Sequence, residues 1–253
     1  MSLGHESSGI ITALGSGVTN LKVGDKVALE VGLPCESCRN CGEGRYNICG
    51  QMQFRSSAKA FPHFQGTLQE KINHPAKWCH KYFSRISILC LVERRIANEW
   101  LSFRLPDNVS LDKGALLEPL SVAIHAVRRA NLAPGSTTLV FGAGAVGLLV
   151  AAMLHVTGSS KIVIADIDAR RVEFATESGF ADKGFVVPMK RGTNIAEKLA
   201  IAQETAKAAV ERDVGEEGDL FDAVFECTGV ESCLQAAIYV RSSSAPPPII
   251  LAW

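Results

Sequence analysis

The 253 residues include 26 basic and 26 acidic side chains and are 47% hydrophobic, enough apolar material for one large or two ordinary cores. A balanced charge excludes the electrostatic footprint of a nucleic-acid or anionic-membrane binder, and no uninterrupted apolar run reaches membrane-spanning length. The opening residues, Met1 to Glu6, lack a basic region followed by an apolar one, so the expectation is a soluble cytoplasmic protein with no nucleic-acid or membrane partner.

From Met1 to about Lys81 the pattern is β-rich. Residues 9–14 and 26–31 are strand-like and lie among Gly, Asn and Asp turn signals, with Gly24-Asp25 marking a tight turn. Cys35, Cys38, Cys41 and Cys49 follow in the spacing C-x2-C-x2-C-x7-C, which lets four thiolates converge on one tetrahedral Zn²⁺ with no open position, a structural site. Free loop cysteines are the alternative, but interleaved Gly and charged residues give these thiols no hydrophobic reason to be there. Cys79, Cys90, Cys227 and Cys233 have no such spacing and read as small core residues.

Further along, residues 120–127 form a largely apolar helix candidate. Glu118, set among Leu and Pro just before it, needs a partner or a metal if it is buried, and is otherwise a solvated acid at a helix start. His125 on the same helix reads as a satisfied core histidine. Strands are expected at 137–141, 161–166, near 185–187 and at 221–226, with helices at 145–155, 169–178 and 195–212. This alternation predicts a parallel, doubly wound α/β sheet with a ligand across the carboxyl ends of its strands. Between the first strand and helix stand Gly142, Gly144 and Gly147: the first permits a tight turn, the second lets backbone N–H groups approach a pyrophosphate, and the third lets helix and strand pack closely. Asp166 ends the next strand about 20 residues on, where a carboxylate takes ribose hydroxyls, so the segment reads as a dinucleotide site.

Taken together, Gly4-His5-Glu6-Ser7-Ser8-Gly9, the four-cysteine lobe, Glu118-Pro119-Leu120-Ser121-Val122 and the glycine loop resemble the zinc-dependent medium-chain alcohol dehydrogenase family, and its polyol branch most of all. The resemblance implies an incomplete β-rich GroES-like catalytic domain at 1–120 and a Rossmann domain at 121–253 that is incomplete at its C-terminus. It implies transfer of hydride from a secondary alcohol of a sugar alcohol to NAD, assisted by Zn²⁺ and giving a ketose. His5 and Glu6 match catalytic zinc ligands, and Glu118 matches the acid that completes the site directly or through water. Asp166 matches the ribose-binding acid and favours NAD over NADP; Arg171 flanks the adenosine, and Val146 and Thr228 join the cofactor set. The full-length relatives of such a chain are expected to be homo-oligomers.

The chain departs from that pattern in three places. The family's zinc-ligand cysteine precedes Gly-His-Glu, whereas three residues precede Gly4 here, so Met1 reads as an internal methionine of a longer protein. Residues 82–104 interrupt the passage from His80-Lys81 to Leu105-Pro106 without Gly or Pro punctuation. They read as a translated intron, since Lys-Tyr and Phe-Arg can be encoded so that excision of GT…AG rejoins Lys81 to Leu105; the alternative is a lineage-specific surface loop. The tail, 240–253, replaces an expected Pro-Gly-Gly turn and strand, reads as a second read-through, and is expected to leave an open sheet edge. A catalytically impaired zinc- and NAD-binding fragment is therefore the alternative to an active polyol dehydrogenase.

Overall fold

The computed structural model describes residues 1–59, 61–80, 105–213, 221–240 and 249–252. The 82–104 insertion, Cys90 within it, and 241–248 of the tail lie outside the described residues. The chain divides into two compact units, Met1–Glu118 and Pro119–Trp253, where the expected boundary lay after residue 120.

The first unit contains the strands β1 (Ser8–Ile10), β2 (Lys26–Leu29) and β3 (Gly32–Leu33), the short helix α1 (Arg39–Gly42), strands β4 (Gln53–Phe54) and β5 (Cys79–His80), and the helix α2 (Leu111–Ala115). β1, β2 and β5 form one antiparallel sheet in that order, and β3 pairs antiparallel with β4. The first strand is shorter than expected because Ile11 donates to the Asp25 carbonyl and accepts from Gly24 N–H, so two residues oppose one and a bulge ends the ladder. The second ends at Leu29 because the chain changes sheets: Glu30 N–H bonds to Trp78, whereas the Val31 carbonyl accepts from Arg55. Leu21, Val27 and Cys79 form the buried centre, with Ile11, Leu14, Val18 and Leu29 packed on it.

Helix α3 (Leu117–Ala130) begins at the division between the units. Its buried stripe is Ala123, Ala126, Val127 and Ala130. This spacing turns His125 to the exposed side, which corrects the expectation of a core histidine. In the second unit, β6 (Thr137–Phe141), α4 (Ala145–Val156), β7 (Lys161–Asp166), α5 (Ala169–Glu177), β8 (Lys183–Val186), α6 (Ile195–Asp213), β9 (Ala223–Glu226), α7 (Glu231–Tyr239) and β10 (Ile249–Leu251) alternate strand with helix. The five strands are parallel in the order β10-β9-β6-β7-β8, the expected doubly wound sheet. Side chains alternate between its faces: Val140, Ile162, Ile164 and Phe225 join one core, and Leu139, Phe141, Val163 and Val224 the other. The tail supplies a strand the sequence did not announce: β10 pairs Ile249 with Val224 and Leu251 with Glu226, and among the described residues the sheet ends at β10.

Candidate functional site

Two groups of side chains in the first unit are arranged to hold a cation. The Cys35–Cys41, Cys38–Cys41 and Cys38–Cys49 sulfur pairs stand 3.9, 3.5 and 3.9 Å apart. A Zn–S bond of about 2.3 Å gives a tetrahedron with edges of about 3.8 Å, so the thiols already lie at the corners that a four-thiolate zinc requires. Hydrogen bonds from Ser37 pull the Cys35 thiol down to about 6, whereas desolvation and the neighbouring thiols push Cys41 up to about 12. Crowded thiols share few charges until a cation compensates them. The lobe is tied down by a Lys77–Glu36 ion pair at 2.6 Å and by the Tyr46 and Trp78 rings, 5.4 Å apart.

His5, Glu6 and Glu118 form the second group, with one ligand atom of each lying within 4.8 Å of the others. The contact that brings them together is local to β1 and α2. Ser8 Oγ donates to the Leu111 carbonyl at 2.5 Å, and a Cβ on Gly114 would stand 3.1 Å from Ser8 Cβ and 2.5 Å from Leu105 Cδ1. Glycine therefore lets the helix lie directly on the strand, and Glu118 follows in the first turn of α3. Burial raises the Glu118 pKa; His5 opposes the shift, while Glu6 and Glu30 add to it. A half-buried imidazole with two carboxylates and a third acid nearby is a donor set that a divalent cation neutralises. Phe54, on β4, packs its ring 5.4 Å from that of His5. Sequence reasoning missed Phe54, and its only signal was an aromatic residue shortly after the cysteine lobe.

In the second unit, Gly142, Gly144, Asp166, Arg171 and Thr228 line one cavity of about 540 Å³ beyond the carboxyl ends of β6, β7 and β9. Gly142 has φ +102°, and a Cβ on Gly147 would stand 1.8 Å from the Gly142 carbonyl oxygen, so the turn admits no side chain at the third glycine. Asp166 accepts from Ala143 N–H at 2.7 Å and from Asp168 N–H at 2.9 Å, which anchors the acid to the glycine loop and to the start of α5. Val146 and Gly147 are not cavity wall: Val146 packs on the core, and both stand in the first turn of α4, ahead of its bond from Leu148 N–H to Gly144. The residues fit a dinucleotide, with a glycine cradle, a helix N-terminus and an acid at the second strand. Burial pushes the Cys79 thiol up to about 11, as an inert core residue requires. Cys227, pushed up to about 12 by burial, and Cys233 are half-buried and line the cavity, which corrects the expectation of core residues for both.

Residues 1–84 match the alcohol dehydrogenase GroES-like domain, and over most of its length the chain is similar to curated reductases and solved dehydrogenases. D-xylulose reductase A of Aspergillus oryzae is 37% identical over 240 residues, covering 95% of this chain and 56% of that protein. The corresponding sequence of Aspergillus terreus is 38% identical over 240 residues, with 95% of this chain and 57% of that one covered. The solved structure of galactitol-1-phosphate dehydrogenase from Escherichia coli is 25% identical with a TM-score of 0.69, over 99% of this chain and 58% of that one. The chain thus spans a little over half the length of these relatives.

Proposed function

We propose that this chain carries the zinc- and NAD-dependent interconversion of a secondary alcohol of a polyol with its ketone. The observation that carries the reading is the convergence of His5 and Glu6 on Glu118, far apart in sequence and within 4.8 Å in space. The D-xylulose reductase named among its relatives supports a ketose and polyol pair as substrate class. Bound Zn²⁺ supplies a Lewis acid for the alcohol oxygen, and bound NAD supplies the hydride acceptor. His5, Glu6 and Glu118 hold the cation, and Phe54 fixes the plane of His5. The Asp166 carboxylate selects NAD by repelling a 2′-phosphate, while the glycine turn cradles the pyrophosphate.

The test is to purify the chain, measure its zinc, and follow NADH formation with xylitol and sorbitol and its consumption with ketoses. The expected result is zinc at both groups, two ions per chain, and turnover that strong chelation removes. A second reading, zinc and NAD binding without turnover, is favoured by the absence of a thiolate from the His5 group among the described residues. It requires one zinc per chain, held by the four cysteines, with saturable NAD binding and no NADH formed.

A further inference from the structure

Glu226 ends β9 and is 1% exposed. A carboxylate so enclosed is costly unless its oxygens find donors. It accepts from Thr228 N–H at 2.7 Å, from Gly229 N–H at 3.1 Å, and from the Thr228 hydroxyl. That hydroxyl accepts in turn from Val230 N–H at 3.0 Å. The acid thus ties down the three residues that follow Cys227, and Thr228 has spent its hydroxyl on the same turn.

This turn is a wall of the nucleotide cavity, to which Cys227, Thr228 and Val230 all contribute. It also lies against the glycine turn: a Cβ on Gly142 would stand 3.0 Å from Thr228 Cγ2 and 3.1 Å from the Cys227 carbonyl oxygen. What Thr228 turns toward Gly142 is its methyl, and the acid beneath sets how near it comes. Asp222 provides the contrast. It uses the same chemistry on the same sheet, accepting from Thr137 N–H at 2.7 Å, but it stands before β9, is exposed, and lines no part of that cavity.

We infer that Glu226 is a positioning residue for the nucleotide: its carboxylate holds the Cys227–Gly229 wall against the glycine turn and so sets the affinity for NAD. The inference rests on the nucleotide reading of this cavity. The test is a titration of NAD into the full chain, its E226Q variant and its D222N variant, with zinc content and thermal melting measured in parallel. Glutamine keeps the size of the side chain but turns an NH₂ donor toward the turn, so a donor there loses its acceptor. The expected result is that E226Q raises the NAD Kd about tenfold while D222N stays within about twofold of the parent. Zinc at the four cysteines is unchanged in both. A parent that binds NAD together with an E226Q variant of equal Kd overturns the inference, even if the variant melts lower, because a purely structural role lowers melting alone. A parent with no saturable NAD binding overturns the nucleotide reading itself.

Discussion

Arg55 is 6% exposed, and each of its three guanidinium nitrogens donates a hydrogen bond. Nε donates to His74 Nδ1 at 3.1 Å, Nη1 to the Gln65 carbonyl at 3.1 Å and Nη2 to the Asn73 carbonyl at 2.6 Å, with the Phe64 ring 4.7 Å away. His74 therefore accepts on Nδ1 and donates from Nε2 to the Glu30 carbonyl, so it is neutral. Burial, aided by the Arg55 charge, holds it at about 4 against an ordinary 6.5. The unfolded chain binds this proton first, so the stability contributed is complete above pH 6.5 and is lost as pH falls through 4. The expected loss is about 2 kcal/mol after solvent screening. Thermal melts across this range should slope less for His74→Gln than for the parent. Gly147→Ala puts a methyl group 1.8 Å from the Gly142 oxygen. It should cost about 2 kcal/mol of stability and weaken NAD binding more than about tenfold, as read by denaturant melts and NAD titration.

At the scale of elements, the ladder between β2 and β5 carries information about the insertion. Glu30 pairs with Trp78 and Ala28 with His80, and the next pair along, at Lys26, is made by Leu105 N–H at 3.3 Å. Leu105 thus takes the place two residues beyond His80, as if it followed Lys81 directly. Joining Lys81 to Leu105 by deleting residues 82–104 should leave the ladder intact. The shortened chain should keep zinc at the four cysteines and melt no lower than the parent; an insoluble or zinc-free product would show that the fold needs the segment. The elements of the second unit from β6 to β9 were legible because each is periodic over its own length, whereas α7 and β10 were not named from the sequence. The bulge at Ile11 was not, because it depends on how Gly24 and Asp25 meet that residue across the sheet.

For the molecule as a whole, the two units divide the chemistry: side chains that converge as metal ligands stand in the first, and the nucleotide cavity in the second. Among the described residues no helix is long and apolar enough to cross a membrane. The second unit depends on its last strand. β9 is buried at every position, β10 covers its edge, and Ala252, 2% exposed, donates to the Glu226 carbonyl at 2.9 Å. Removing residues 249–253 would bare that edge and should produce self-association and a lower melting temperature, checked by size-exclusion chromatography and calorimetry. A monomeric, equally stable truncation would mean that β10 is dispensable.

What the sequence determined by itself was whatever is written in short spacings: the four cysteines, the three glycines with Asp166 after them, and the strand–helix alternation that makes the sheet parallel. Those features depend on neighbours within a few turns of chain, so they are legible before folding. Tertiary structure alone decided that Phe54 packs a tilted ring against His5, that His125 faces outward, and that Glu226 holds the turn beside Gly142. Each of these depends on a packing contact or on a buried atom seeking a donor, and neither is encoded in local periodicity.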